Sequence, residues 1–207
     1  MNNKTDIYKT IETPSSETLF KEKGSKFFGY AFPINKENDV NFHLDTLRNQ
    51  HKNARHFCYA FKIGADAILY RVNDDGEPSG TAGLPIYGQL LSFEVTNILL
   101  VSVRYFGGTK LGVGGLISAY KQSAKLTLEA SNIIEKTIDK TFNLIFDYKD
   151  TNKVMRIIKE KNITILNQQM EMNCVLTVTI RKSRAESVLQ AFESLYGVAI
   201  KHLPEII

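Results

Sequence analysis

The stretch RYFGGTKLGVGGL, from Arg104 to Leu116, holds five glycines and two cations in thirteen residues. It follows the apolar run NILLVSV and precedes a segment with helical spacing. A strand that turns through glycines into a helix directs unpaired backbone N–H groups at one point, and the helix dipole adds partial positive charge there. We therefore predict an anion-binding corner whose contacts are Arg104, Gly107, Gly108, Lys110, Gly112, Gly114 and Gly115.

Neither common nucleotide-binding motif fits this corner. A P-loop requires a lysine after its second glycine, and Val113 stands at that place. The dinucleotide fingerprint requires a third Gly or Ala where Ile117 stands. We therefore predict neither ATP nor NAD binding and expect no cofactor. A structural interpretation stays open, in which the glycines make a tight turn and let the helix approach the sheet.

A second unusual stretch, NDDGEPSGTAGLP, places three carboxylates within four residues of loop. Such a cluster could hold a hard cation, but the spacing of an EF-hand is absent, and we predict no metal site. The stretch is also typical of a turn in which one of its hydroxyl side chains caps the next helix. The third interpretation is a recognition loop formed by Asp74, Asp75, Glu77, Ser79 and Thr81.

His56 and Cys58 alternate on a predicted strand and therefore share a face. Because no third orienting group is evident, we expect a buried thiol beside a partly buried histidine rather than a nucleophile–base pair. Aromatic residues at strand spacing predict a core, and the alternative is a base-stacking platform on an open sheet face. These residues are Phe27, Phe28, Tyr30, Phe57, Tyr59 and Phe61.

The patterns of apolar residues predict an α+β protein of two domains. Residues 1–137 have the order β-α-β-β-α-β-α, which indicates a two-layer α/β sandwich with helices on one face of the sheet. Residues 138–207 have the order β-α-β-β-α-β of a ferredoxin-like domain. In its second helix, Ser183 and Glu186 have the spacing of a capping box.

Composition narrows the class of protein. The 207 residues are 43% hydrophobic and carry a formal charge of +4, shared evenly: residues 139–207 hold 10 Lys and Arg against 8 Asp and Glu, and the remainder 16 against 14. Any phosphate-binding surface must therefore be a local patch. Two distant cysteines, the absence of a secretory h-region and the absence of a membrane-spanning run predict a cytoplasmic protein without a membrane partner.

Two stretches together, DDGEPSGTAGLPI and RYFGGTKLGVGGLISAY, resemble the signature of the IMPACT family, in its bacterial YigZ branch. SKFFGYAFP and HKNARHFCYAFKIG are similar to the same family, so that the resemblance covers residues 17–207. It implies a first domain like the fourth domain of elongation factor G and a second domain like its fifth. In eukaryotes the family implies control of translation, and for this chain the resemblance implies RNA or the translation machinery as partner.

The leading hypothesis is a non-enzymatic regulator or binding module that engages RNA or the ribosome through the glycine-rich corner, with Lys52, Arg55 and Arg71 as secondary contacts. One alternative is an enzyme for a phosphorylated or nucleotide-like small molecule, in which a carboxylate of the acidic loop serves as base or holds Mg²⁺. The other is a protein-binding adaptor that uses DDGEPSG as its docking loop. The enzyme requires the acidic loop and the corner to share one face of the domain.

Overall fold

The computed structural model describes residues 6–65 and 68–203. These residues divide into two compact units, one of residues 8–136 and one of residues 137–203 together with Asp6 and Ile7. Each unit encloses its own hydrophobic core. Within the described residues, no helix combines the length and the apolar character that crossing a membrane requires.

The first unit combines strands and helices. In chain order its elements are β1 (Ile7–Ile11), β2 (Thr18–Glu22), β3 (Ser25–Pro33), α1 (Asn38–Gln50), β4 (His56–Ile63), β5 (Leu69–Asn73), α2 (Gly83–Ser92), β6 (Ile98–Tyr105), α3 (Gly112–Glu129) and β7 (Ile133–Thr137). The main sheet is antiparallel throughout, in the order β2-β3-β6-β4-β5, while β1 pairs with β7.

β6 is the central strand of this sheet because it is apolar on both faces. Leu100 belongs to a core cluster with residues of α2 and α3, whereas Leu99 and Val101 belong to a second cluster with residues of α1. Helices therefore cover both faces of the sheet. The mixed α/β class is as predicted, but the expectation of helices on one face differs from the structure, because Val40 and Leu44 turn the apolar side of α1 onto the other face.

The aromatic residues of β3 and β4 are core residues, as their alternation predicts. Phe57, Tyr59 and Phe61 lie under α1, and Phe27 lies under α3. The alternative of an open base-stacking platform on this sheet is therefore wrong, since both faces are covered.

The sequence patterns did not predict the short strands that have few apolar residues. β1, β2 and β7 are each five residues long and partly exposed. β2 joins β3 through a hairpin whose two-residue turn is Lys23–Gly24, with φ angles of 45° and 81°. Positive φ at both positions is typical of the turn that matches the twist of paired strands. This hairpin brings Lys23 next to the glycine-rich corner, as described below.

The second unit follows the predicted β-α-β-β-α-β order. Its elements are β8 (Asp139–Asp147), a short 3-10 turn (Tyr148–Asp150), α4 (Thr151–Glu160), β9 (Thr164–Gln169), β10 (Asn173–Arg181), α5 (Lys182–Glu193) and β11 (Val198–His202). The antiparallel sheet has the order β11-β8-β10-β9. Its core combines inward residues of β8 and β10, such as Leu144 and Leu176, with Val154 of α4 and Val188 of α5.

The start of α5 is capped by a distant carboxylate rather than by the predicted capping box. Arg181 stands at the N-cap of this helix, and its side chain has no acceptor for the first amides. Instead, the Asp6 carboxylate accepts the Ser183 amide at 3.2 Å and two bonds from the Arg181 guanidinium at 2.7 and 2.8 Å. The hydrogen bonds from Arg181 and then Ser183 hold the pKa of Asp6 well below its usual range.

Candidate functional site

The glycine-rich corner, residues 106–115, connects β6 to α3 and contains glycines of two kinds. Gly107 is structural: a Cβ there would lie 1.9 Å from the carbonyl carbon of Gly24, so only glycine lets the corner touch the β2–β3 turn. Its amide is also engaged, because it donates to the Ser25 hydroxyl at 3.2 Å. The structural interpretation therefore applies to Gly107, through the close approach of two backbones.

The remaining glycines of the corner are less crowded. Gly108 and Gly112 have φ angles of +87° and +72°, which other residues rarely adopt, and a Cβ at either of them or at Gly114 would meet no described atom within 4 Å. A Cβ at Gly115 would lie 3.1 Å from the Cβ of Leu111. Leu111 is the N-cap of α3, and its apolar side chain cannot accept from the helix. The first amides of α3 are therefore open to an outside acceptor.

Arg104 lies at the end of β6 and is buried, with 6% of its side chain exposed. Its guanidinium donates to the Glu77 carboxylate at 2.6 Å and to the Ser25 hydroxyl at 3.3 Å. It also lies between two aromatic rings, 5.5 Å from the centroid of Phe27 and 5.7 Å from that of Phe106. The positive charge of Arg104 is thus balanced inside the protein rather than presented at the surface.

Glu77 is the partner that joins the acidic loop to the corner. Its side chain is 5% exposed, and the same carboxylate oxygen accepts from Arg104 and, at 2.7 Å, from the Tyr120 hydroxyl of α3. Burial, followed by the nearby Cys58 and Glu77, raises the pKa of Tyr120 far above its usual range, so that its hydroxyl remains a donor. The acidic loop and the corner therefore share one face of the domain.

Asp74 and Asp75 organise the loop through backbone contacts. The Asp74 carboxylate accepts the amides of Gly80, Ala82 and Gly83 at 2.8 to 2.9 Å. Burial acts to raise the pKa of Asp74, but these three amides outweigh it and lower the pKa. Asp74 therefore caps the start of α2, the role that one interpretation of the sequence gave to a hydroxyl side chain.

The other loop residues also contact backbone or solvent. The Asp75 carboxylate accepts the Phe57 amide at 2.7 Å, and the backbone of Asp75 has a φ of 38°. Thr81 is buried and donates to the Pro78 carbonyl at 2.6 Å, while Ser79 is exposed. The Asp74 and Asp75 carboxylates thus bind backbone amides, and the described residues include no group of three or more His, Cys, Asp or Glu suited to a metal ion.

Cys58 and His56 are held by the same loop. The Cys58 thiol lies 3.0 Å from the Asp74 carbonyl oxygen and 3.3 Å from the Tyr120 hydroxyl, and a ring nitrogen of His56 lies 2.9 Å from the Asp75 carbonyl oxygen. Burial raises the pKa of Cys58 far above its usual range. The thiol is therefore protonated and unreactive, in agreement with the buried thiol that the sequence predicts.

Two hollows flank the start of α3. The first, called here the Phe106 cleft, has a volume of about 350 Å³, with Glu77 and Arg104 at one side and apolar walls. The walls and rim are Pro78, Phe106, Lys110, Leu111, Val113 and Leu116. The second, of about 460 Å³, is lined by Gly114, Gly115 and Lys23. Lys110 and Lys23 are both exposed, so one exposed ammonium group lies on each side of the uncapped helix start.

Of the predicted secondary basic contacts, only Arg71 is placed away from the corner, whereas Arg55 directly precedes His56, which pairs with Arg104 in the β4–β6 ladder. Lys52 and Arg55 are located in the connection between α1 and β4. Arg71 forms an ion pair of 2.6 Å with Glu37 and stands opposite Phe61 in the β4–β5 pair, on the α1 side of the sheet. The structure does not bring Arg71 to the face that carries Glu77 and Arg104.

Four residues of the site were missed by the sequence analysis: Ser25, Lys23, Phe106 and Tyr120. The Lys-Gly pair ahead of Ser25 is a hairpin signal that could have located the first two. Tyr120 is a buried residue of α3, and the periodicity of a helix does not reveal a hydroxyl contact.

Comparison with known proteins assigns the chain to a protein family. A family profile for the Impact N-terminal domain matches residues 23–128. The chain is 34% identical to an IMPACT family member of Haemophilus influenzae over 87% of this chain and 88% of the relative, and 33% identical to the IMPACT family member YigZ of Escherichia coli over 66% and 68%. A crystal structure of a hypothetical protein is similar with a TM-score of 0.73 and 26% identity, covering 97% of this chain and 99% of that one. The chain therefore belongs to the IMPACT family, as its two signature loops predicted.

Proposed function

We propose that this chain is a cytoplasmic, non-enzymatic binding protein of the translation machinery, and that its predicted N-terminal domain, residues 1–137, contacts RNA phosphate at the start of α3. The observation that carries the proposal is the uncapped start of α3 between two exposed lysines, Lys110 and Lys23. Backbone N–H groups at a helix start and two flanking ammonium groups form a surface that attracts phosphate.

The packing of the corner limits which groups are available to contact phosphate. Arg104 is paired with Glu77, and the Gly107 amide with Ser25, so both are supports of the corner. The direct contacts are then the open amides from Gly112 to Gly114 and the side chains of Lys110 and Lys23, whereas the Gly115 amide belongs to the first hydrogen-bonded turn of α3. Gly108, with its positive φ and open surroundings, lets the chain turn without covering them.

Family membership supports the choice of RNA over other polyanions. The sequence resembles proteins whose domains are like the fourth and fifth domains of elongation factor G, and the family is associated with control of translation. This support is an analogy at the level of fold, so the phosphate contacts need their own test.

The test is the salt dependence of RNA binding. We expect wild-type protein to bind RNA with a negative slope of log K against log salt, and each lost phosphate contact to reduce that slope by about 0.7 for a single strand. Lys110→Ala and Lys23→Ala should each show this reduction. Lys125→Ala is the matched control, because it removes one exposed lysine from the same helix beyond its first turns, where it lies 3.6 Å from Glu129.

The proposal fails if RNA does not bind at low salt. It also fails if the control variant loses as much slope as Lys110→Ala, because the binding would then follow net charge rather than the start of α3.

A second candidate, an enzyme for a phosphorylated small molecule, is favoured by one observation: the acidic loop and the corner meet at the Glu77–Arg104 contact. The Glu77 carboxylate is the acidic group of this loop that lines the cleft, since Asp74 and Asp75 hold backbone amides. Calorimetric titration with inorganic phosphate and nucleoside monophosphates distinguishes this candidate, which requires saturable binding of the small molecule in the absence of RNA.

A further inference from the structure

We propose that the Phe106 cleft takes one unstacked base of single-stranded RNA while the adjoining phosphate lies at the start of α3. This inference rests on the proposed function and adds what is recognised: a splayed base in addition to the backbone. The starting observation is that Phe106, a large aromatic residue, has 56% of its surface exposed beside the proposed phosphate contacts.

The lining of the cleft suits the face of a base. Phe106, Val113 and Pro78 present apolar surface around it, and Val113 is 59% exposed. Exposed aromatic rings next to a cationic surface are the usual platform for unstacked bases, because every base offers a π-face and its phosphate stays in the positive region. A simple phosphate site would not need this apolar wall.

The size of the cleft limits the ligand. Its volume of about 350 Å³ lies at the lower end of the range of roughly 300–1,000 Å³ that small-molecule sites span. One base fits this space better than two stacked bases. A base within a duplex cannot enter, because its faces are stacked and its edge is paired, so the cleft selects single strands.

One side of the cleft offers polar groups for the edge of a base. Arg104 lines it, and among the described residues its Nε is a buried donor without an acceptor. A buried donor without an acceptor is unfavourable, so a carbonyl oxygen that reaches it would be stabilised there. Neighbouring atoms cover this nitrogen, and the guanidinium has to shift slightly for the contact to form.

The experiment measures the binding of a labelled single-stranded RNA, and of the duplex of the same length, by fluorescence anisotropy over a range of salt concentrations. We expect Phe106→Ala to weaken binding of the single strand about tenfold, the loss of one base stack, with an unchanged salt slope and unchanged binding of the duplex. Phe106→Tyr retains the ring and should bind like wild type. Lys110→Ala should reduce the salt slope with both RNAs.

The outcomes separate the two proposals. If Lys110→Ala lowers the slope but Phe106→Ala binds the single strand like wild type, the base site is wrong and the phosphate site stands. Equal losses on single strand and duplex in Phe106→Ala also overturn the base site. If neither RNA binds wild-type protein at low salt, the proposed function itself fails. Thermal unfolding of Phe106→Ala checks that loss of binding does not come from loss of the fold.

Discussion

The Arg104 guanidinium and the Glu77 carboxylate are 2.6 Å apart, with only 6% and 5% of their side chains exposed. This contact joins the acidic loop to the end of β6, and Tyr120 and Ser25 add one hydrogen bond each, to Glu77 and to Arg104. A buried ion pair of this kind fixes geometry more than it adds stability, since both charges lose their hydration. We therefore regard it as the contact that holds the wall of the Phe106 cleft.

Breaking the pair should be costly. Glu77→Gln leaves the buried Arg104 charge without its counter-ion, and we expect the free energy of unfolding to fall by about 3–5 kcal/mol. The double variant Glu77→Gln with Arg104→Met removes both charges and should lose less than the sum of the single variants, with a coupling of about 1–3 kcal/mol. Urea unfolding measures all of these. Additive losses would contradict a direct pair.

Two glycines of the corner should respond in opposite ways to alanine. Gly107→Ala places a methyl group 1.9 Å from the backbone of Gly24, and we expect a loss of about 1–3 kcal/mol or more. Gly114→Ala adds a methyl group in open space within α3, so it should stabilise the protein by roughly 0.5–1 kcal/mol.

The same Gly114→Ala protein also tests the site. If phosphate approaches the open amides at the start of α3, the added methyl group should weaken RNA binding even though the fold is more stable. Melting temperature and RNA affinity are measured on one preparation. A variant that is less stable than wild type would disprove the open surroundings of Gly114.

His51 should make stability depend on pH. On the α1 side of the sheet its ring lies between the Tyr30 and Tyr105 hydroxyls, and Tyr30 also donates to Glu17. Because the Tyr30 hydroxyl gives its proton to Glu17, the His51 ring donates from Nε2, and in the neutral ring Nδ1 accepts from the Tyr105 hydroxyl. Burial lowers the pKa of His51 from 6.5, although the charge of Glu17 acts to raise it.

A lowered histidine pKa means that the unfolded chain binds more protons below about pH 6.5. The stability that neutral His51 contributes is therefore fully present above that pH. It is lost as the pH falls toward the pKa of His51 in the folded protein. In urea unfolding from about pH 7.5 to about pH 5, His51→Gln should lose less stability than wild type. Burial also lowers the pKa of His43, so part of the dependence of stability on pH remains in the variant. If the free energy of unfolding changes with pH equally in both proteins, His51 does not contribute to the pH dependence.

Local patterns predicted most of the long elements. The apolar run of β6, the helical spacing of α3 and the final β-α-β-β-α-β order were readable because periodicity is a property of neighbouring residues. β2 was missed because its side chains are at most half-buried and it is ordered by pairing with β3. Pairing within a hairpin leaves little mark on the apolar pattern of a five-residue strand.

Residue types and their local spacing were enough to establish the family, the mixed α/β class and the presence of a basic, glycine-rich corner beside an acidic loop. Tertiary packing alone decides which groups of those loops can contact a ligand. It buries Arg104 against Glu77 and pairs the Gly107 amide with Ser25, yet it leaves Lys110 and the first amides of α3 exposed. The reason is that residue type fixes which groups could bind an anion, whereas the packing of β3, β6 and α3 fixes which of them already have a partner.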